Sequence, residues 1–175
     1  MTEWVALLRG VNVGGISIKN APLAQVFVSL GLSDIKTVLA SGNVRFRSNG
    51  TDRAELKASI EGALRQAFGY DAWIVLVTLE GLRAAADAFP FDHADAERQP
   101  WVIFCVDAAT TSELLAAAST IDGTVDTVAG GAEVVYWWPP KGSSTDTPFA
   151  KVLARATYKP CTTNRNLRTL RKILG

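Results

Sequence analysis

Two sequence patterns alternate along the N-terminal half of the chain, and their order constrains the fold more than any other feature. Short patterns typical of β-strands cover residues 3–9, 35–40, 44–48 and 72–78. Two amphipathic helical stripes, which begin at Leu23 and Leu56, lie between these strand patterns. The order is therefore β-α-β-β-α-β, which predicts a ferredoxin-like, split β-α-β arrangement for residues 1–78.

Part of this order recurs later in the chain. Residues 79–100 are interpreted as a helix followed by a polar linker, and residues 101–107 as a buried strand. A helical stripe, a hairpin around Gly130-Gly131 and a further helix near residues 148–156 follow. No fourth strand pattern is evident before the final helix, so we expect the second unit to be incomplete.

The sequence therefore predicts an α+β protein made of two related units. Residues 1–78 form a ferredoxin-like βαββαβ unit, and residues 101–175 form an incomplete βαββα unit that ends in a basic helix at about residues 165–174. No apolar run reaches the roughly 18 residues that a membrane helix needs. Cys105 and Cys161 are too few for a disulfide framework. We therefore expect a cytoplasmic protein without a membrane partner.

The formal net charge of +1 hides a strong asymmetry along the chain. Residues 80–135 contain ten acidic and two basic groups, whereas residues 141–175 contain eight basic groups and one acidic group. Near-neutrality argues against a generally basic surface, but the C-terminal segment can still form a local anion site. Attraction between the acidic and the basic segment is the alternative explanation.

The first candidate site is the loop that follows the first strand. Arg9 ends that strand, and Asn12 lies in a loop in which Gly14 and Gly15 permit positive φ angles. Successive backbone N–H groups in such a loop can hold an anion, although the loop can equally be only a turn. The dinucleotide-binding and P-loop signatures are both absent.

A second candidate is Ser41-Gly42-Asn43, which has the composition of a hairpin turn. Ser41 and Asn43 are secondary candidates for ligand binding because they lie at a strand end. No histidine or lysine lies near Ser41 in the sequence, so a serine nucleophile is not favoured. We expect the end of the first strand and the start of the third at opposite edges, so this turn and the Arg9 loop need not share a cleft.

The most suggestive segment precedes and enters the final helix. Thr163 and Asn166 are candidate N-caps, and the spacing of Arg165, Arg168 and Lys172 predicts one cationic helical face. A helix N-terminus combined with hydroxyl groups and an arginine suits a phosphate or carboxylate. A capped amphipathic helix with a solvated basic face is the alternative interpretation.

Three separated blocks of the chain resemble one bacterial family. These blocks are Leu7–Gly15, Ala40–Phe46 and Thr162–Thr169, with Pro90-Phe91 as an additional match. The family is known as domain of unknown function 1697. The resemblance spans nearly the whole chain and implies a two-part α+β fold, but it implies no particular reaction.

Taken together, these features predict binding of a small anionic, phosphate-bearing ligand in a cleft between the two units. The ligand-binding residues would be Arg9, Asn12, Gly14 and Gly15 on one wall, Thr163, Arg165 and Asn166 on the other, and Lys141 as a clamp. No acid–base or nucleophile pair is evident, so the sequence leaves open whether the protein is an enzyme. No cofactor is predicted, and the sequence does not predict the oligomeric state.

Other interpretations of the sequence are less favoured. The basic C-terminal helix, together with Trp137 or Trp138 if one is exposed, could bind nucleic acid, or the chain could be a structural or protein-interaction module. His93 is the only histidine and lies in an acidic run. A lone loop histidine is rarely a general base, and the spacing of the acidic groups predicts no metal site.

Overall fold

The computed structural model describes residues 1–11 and 16–175, which divide into two compact units. The first unit comprises Met1–Leu82 and Lys172–Gly175, and the second comprises Arg83–Arg171. No helix within the described residues is long and apolar enough to cross a membrane. The finer division, with residues 79–100 as a separate helix and linker, stays a prediction.

The first unit is built on a four-stranded antiparallel sheet. Its elements are β1 (Thr2–Leu8), α1 (Asn20–Ser29), β2 (Ser33–Thr37), β3 (Asn43–Ser48), α2 (Arg53–Phe68) and β4 (Ile74–Thr78). The strand order is β2-β3-β1-β4, so β3 lies between the two strands that α1 connects. The buried core includes Phe27, Phe46, Ile60 and Leu64.

Local sequence signals explain the limits of α2. The side chain of Asp52 accepts a hydrogen bond from the backbone N–H of Glu55 at 3.0 Å, which satisfies a donor in the first turn. The helix ends at Gly69, whose φ of +71° is the left-handed conformation that glycine adopts without strain. Residues that lie close to the helix in the sequence therefore set both of its ends.

Helix α3 (Leu79–Asp87) leads into the second unit, which is also built on a four-stranded antiparallel sheet. Its further elements are β5 (Trp101–Cys105), α4 (Ala108–Ala118), β6 (Thr127–Gly130), β7 (Val134–Trp138), α5 (Pro148–Leu153), a 3₁₀ turn (Ala156–Tyr158), β8 (Thr162–Asn166) and α6 (Leu167–Leu174), whose residues from Lys172 onward belong to the first unit. The strand order is β6-β7-β5-β8, which repeats the order of the first sheet. The predicted α+β class with two related units is confirmed.

The prediction that the second unit lacks a fourth strand is wrong. Thr162–Asn166 forms β8, which pairs with β5 along its whole length, and α6 begins only at Leu167. The segment lacks an apolar strand pattern because its buried side chains are polar and hydrogen-bonded. Thr162, for example, is 1% exposed and donates its hydroxyl to the carbonyl of Tyr158 at 3.0 Å.

A buried carboxylate organises the core of the second unit. Asp126 is 3% exposed. Its Oδ1 accepts hydrogen bonds from Trp137 Nε1 at 2.8 Å and Thr147 Oγ1 at 2.7 Å. Its Oδ2 accepts one from the backbone N–H of Phe149 at 3.0 Å. A buried charge is tolerated only when such donors satisfy it, so Asp126 joins the hairpin strand β7 to the start of α5.

Candidate functional site

A cationic pocket of about 730 Å³ lies within the second unit. Six ionisable side chains line it, namely His93, Asp95, Arg98, Lys141, Arg168 and Arg171. Asn166 and Thr169 add polar groups to the wall. These residues come from the segment before β5, the segment after β7 and the start of α6, so the pocket depends on long-range contacts.

Backbone hydrogen bonds hold the three segments together. The N–H of Gln99 donates to Pro139 O at 3.0 Å, and the N–H of Lys141 donates to Glu97 O at 2.8 Å. The N–H of Leu167 donates to Pro100 O at 2.9 Å, which attaches the start of α6 to the same segment. The extended residues before β5 therefore fix both Lys141 and α6 at the pocket.

Arg98 anchors one side of the pocket rather than offering its guanidinium to a ligand. Its guanidinium donates to the carbonyls of Thr124 at 2.7 Å and Trp138 at 2.8 Å. It also lies 5.0 Å from the centre of the Trp138 ring, a cation–π distance. Its donors are largely occupied, but its positive charge still contributes to the potential in the pocket.

The other cations of the pocket have no carboxylate partner. In residues 1–11 and 16–175, no ion pair joins Lys141, Arg168 or Arg171 to an acidic side chain. Asp95 is the one carboxylate in the described lining, and its Oδ1 accepts the backbone N–H of Glu97 at 2.9 Å. The pocket therefore carries an excess of positive charge that the protein leaves without a counterion in this unit.

Asn166 forms the N-terminal cap of α6. Its side-chain oxygen accepts the backbone N–H of Arg168 at 3.0 Å, as expected of a capping asparagine. The positive end of the helix dipole therefore faces the region that Asn166 and Thr169 line. Of the residues predicted from the sequence, Lys141 and Asn166 are the ones that line this pocket.

Thr163 and Arg165 lie on the opposite face of β8 from Asn166, because neighbouring strand residues point to opposite sides. Arg165 is 6% exposed and donates to Thr163 Oγ1 and to its neighbour's carbonyl, Asn164 O, both at 2.8 Å. Burial lowers the pKa of Arg165 to about 10, so its guanidinium stays charged at neutral pH. The predicted helical face of Arg165, Arg168 and Lys172 is wrong, because Arg165 belongs to a strand.

The candidates of the first unit meet at one end of its sheet. Leu7 of β1 pairs with Asn43 of β3, and the N–H of Leu8 donates to Gly42 O at 2.8 Å. Arg9, directly after β1, donates its N–H to Trp73 O at 2.9 Å. The expectation that these strand ends lie at opposite edges is wrong, because the antiparallel pairing of β1 and β3 places them side by side.

The Ser41-Gly42-Asn43 turn is tightly constrained. Asn43 is fully buried, and its Nδ2 donates to Val38 O and Ser41 Oγ, each at 2.8 Å. Gly42 has a φ of +79°, and a Cβ there would lie 2.8 Å from the Cβ of Leu8. These contacts give the turn a structural role. Asn12, Gly14 and Gly15, the other candidates of this region, lie outside the described residues.

The sequence did not single out Arg98, Arg171 or His93 as parts of a site. Arg171 Nη2 lies 3.3 Å from His93 Nε2, across 78 residues of chain. The local signal nearest to it is the Pro139-Pro140 segment after β7, which accepts the N–H of Gln99 at Pro139 O and donates the N–H of Lys141 to Glu97 O. Within the described residues, no group of three or more His, Cys, Asp or Glu side chains could hold a metal ion.

Two α+β units with the same antiparallel strand order define the fold class of the protein. The chain belongs to the family described as Protein of unknown function (DUF1697), whose sequence profile matches residues 1–136. The predicted resemblance is therefore confirmed. Lys141 and the α6 residues of the pocket lie beyond the matched range.

The comparison with solved structures shows the same fold elsewhere. The conserved bacterial protein SP0830 from Streptococcus pneumoniae is similar, with a TM-score of 0.79 and 23% sequence identity. The alignment covers 99% of this chain and 97% of that chain. No curated protein matches the chain.

Proposed function

We propose that the second unit binds a small, phosphate-bearing anion in the cationic pocket. The observation that carries this proposal is the pocket's excess of positive charge: Lys141, Arg168 and Arg171 line it without an acidic partner in the described residues. Three uncompensated cations around one concave volume repel each other, and an anion would remove that repulsion.

The polar groups of the pocket suit a phosphate. Arginine forms paired, charge-assisted hydrogen bonds with phosphate oxygens, and lysine supplies a mobile point charge. The start of α6, capped by Asn166, adds the positive end of a helix dipole. The volume of about 730 Å³ is far larger than one phosphate group and is typical of pockets that hold an organic ligand. The ligand class is therefore a phosphate attached to a small organic body.

Titration calorimetry at low ionic strength tests the proposal with inorganic phosphate and adenosine monophosphate as probes. We expect Arg168→Ala and Arg171→Ala each to weaken binding about tenfold, the size of one charge-assisted hydrogen bond. Arg155→Ala is the matched control, because Arg155 is an exposed arginine of the same unit outside the pocket. If neither probe binds to the wild type, or the control weakens binding equally, the proposal is wrong.

For the other residues predicted from the sequence, ligand binding stays a prediction that does not involve this pocket. Thr163 and Arg165 face away from Asn166, and Arg9 belongs to the first unit. An Arg9→Gln variant tests whether the first unit contributes to binding: unchanged affinity would restrict the anion site to the second unit. We also propose a cytoplasmic location. The two free cysteines agree with it, because the cytoplasm keeps thiols reduced.

Nucleic-acid binding through α6 is the second candidate, favoured by the exposed cations Arg168, Arg171 and Lys172. The expected exposed tryptophan does not support it, because Trp137 is 1% exposed and Trp138 is stacked against Phe91. The salt dependence of binding separates the two candidates. A nucleic acid that contacts several phosphates would lose affinity steeply with salt, whereas a small phosphate-bearing ligand would lose much less.

A further inference from the structure

The wall of the anion pocket is polar beyond its cations. Gln99 and Thr169 line it, and neither side chain makes a hydrogen bond within residues 1–11 and 16–175. Asn166 uses its side-chain oxygen to cap α6, which leaves its amide group able to donate. An amide or a hydroxyl group both donates and accepts hydrogen bonds. The wall therefore offers neutral polar groups in addition to the charges that suit a phosphate.

Asp95 adds a negatively charged acceptor to this wall. Its Oδ1 accepts the N–H of Glu97 at 2.9 Å and its carbonyl accepts the N–H of Arg98 at 3.4 Å, so a local turn fixes its position. In the described part of the chain, its Oδ2 accepts no hydrogen bond and pairs with no cation. A carboxylate only accepts hydrogen bonds and repels a phosphate. Asp95 therefore suits a hydrogen-bond donor elsewhere on the ligand.

The wall offers no aromatic surface for a nucleobase. Among the residues that the structure describes, no Phe, Tyr or Trp lines the pocket. Trp138, the ring 5.0 Å from the Arg98 guanidinium, is stacked on Phe91 with the ring centres 5.6 Å apart. Flat or apolar ligands are held mainly by hydrophobic and aromatic side chains. The organic body that fits this wall is therefore hydrophilic.

We propose that the ligand of this pocket is a sugar phosphate, whose phosphate contacts the three unpaired cations and whose hydroxyl groups contact Asp95 and its polar neighbours. This inference rests on the proposed function and names its ligand class. A hydroxyl group donates to the Asp95 carboxylate and accepts from an amide such as that of Gln99. Lys141, Arg168 and Arg171 outnumber the one carboxylate, so a neutral donor is favoured over an ammonium group.

Ribose 5-phosphate and n-pentyl phosphate are matched probes for this proposal. Both carry a phosphate monoester on a five-carbon body, and only the sugar has hydroxyl groups. Titration calorimetry at low ionic strength should show that the wild type binds ribose 5-phosphate about tenfold more tightly, the effect of a hydrogen bond to a charged group. The ratio of the two affinities cancels the contribution of the phosphate, so it measures the hydroxyl contacts.

Asp95→Asn tests the role of the carboxylate. Asparagine keeps an oxygen for the N–H of Glu97 but removes the charge and the Oδ2 acceptor. The affinity ratio should fall from about tenfold to about twofold. The affinity for n-pentyl phosphate should stay the same or rise, because a negative charge has left the pocket. A merely structural effect would weaken the binding of both probes together.

Asp92→Asn is the matched control. Asp92 lies in the same loop and also accepts a backbone N–H, that of Ala94 at 3.0 Å, but it does not line the pocket. This variant should keep the wild-type ratio. Thr169→Val is a second test, on α6: it removes a hydroxyl group from the wall and should lower the ratio about threefold.

The outcomes separate this inference from the proposed function. If the two probes bind equally, if Asp95→Asn keeps the wild-type ratio, or if Asp92→Asn lowers it as much, the sugar assignment is wrong and the anion pocket stands. Tighter binding of phenyl phosphate or O-phosphoethanolamine than of ribose 5-phosphate would overturn it in favour of an aromatic or an amino-bearing body. If no phosphate compound binds, inorganic phosphate included, the anion pocket itself is wrong. A preference for the sugar that Asp95→Asn abolishes supports both.

Discussion

Replacement of Asp126 by alanine should destabilise the second unit severely. The carboxylate accepts from Trp137 Nε1, Thr147 Oγ1 and the N–H of Phe149, all within 3.0 Å, and it is 3% exposed. Alanine leaves all three buried donors without an acceptor. A buried unsatisfied donor costs about 1–3 kcal/mol, and the empty carboxylate site can admit a water that recovers part of this. We expect a loss of about 3–5 kcal/mol in the free energy of unfolding.

Asp126→Asn provides a finer test at the same position. Asparagine has one acceptor oxygen, which can still serve the two donors on the Oδ1 side. Its amide would then face the N–H of Phe149, donor against donor. We expect a loss of about 2 kcal/mol, smaller than for alanine.

Urea unfolding followed by far-ultraviolet circular dichroism measures the free energy of unfolding of both variants. The slope of this free energy against urea concentration is compared with that of the wild type, because a changed slope would reveal an intermediate. Asp146→Ala is the control, because Asp146 is exposed and its side chain contacts only the neighbouring Thr145 in the described part of the chain. A loss of less than about 1 kcal/mol for Asp126→Ala would refute the reasoning, since it would mean that the three donors find other acceptors without cost.

Three further predictions concern the turn, a helix and a thiol. Gly42→Ala should destabilise the protein by about 2–4 kcal/mol in urea unfolding, because its φ of +79° and the approach of a Cβ to within 2.8 Å of Leu8 Cβ are both unfavourable. Gly62→Ala should instead raise stability by about 0.5–1 kcal/mol, since Gly62 lies inside α2 and a Cβ there meets nothing within 4 Å. Burial raises the pKa of Cys105 to about 11, so the thiol should resist a thiol reagent in the native protein. Because the folded state disfavours the thiolate, stability should fall as the pH rises from about 9 to about 11, and a Cys105→Ala variant should show a smaller fall.

Local signals predicted most of the elements in both units. The Asp52 cap and Gly69 define α2, and the Gly130-Gly131 turn joins β6 to β7. These features depend on residues that are close in sequence, so composition and spacing are sufficient to find them. The same reasoning also predicted that the C-terminal half would repeat the first.

Strand β8 could not be predicted in this way, because its extended conformation depends on pairing with β5, which is distant in the sequence. Its sequence, Thr-Thr-Asn-Arg-Asn, suggested caps for a helix rather than a strand. Pairing with β5 satisfies its backbone, and local hydrogen bonds satisfy Thr162 and Arg165. Tertiary context therefore outweighed the local capping signal.

The pocket was only partly predictable for a similar reason. The sequence analysis predicted Lys141 and Asn166 as ligand-binding residues of the basic C-terminal segment, and both line the pocket. The contribution of His93 depends on backbone bonds between residues 97–99 and residues 139–141, which no local pattern encodes. The charge count identified the basic segment, but only the fold shows which of its side chains face a common volume.

Anion binding in the pocket of the second unit is our principal proposal. The most direct test is to map the change in each backbone amide NMR signal as inorganic phosphate is added to the wild-type protein. We expect the largest shifts to cluster at His93, Lys141 and residues 166–171, the parts of the chain that line the pocket. Shifts confined to the first unit, or no saturable shifts at all, would contradict it.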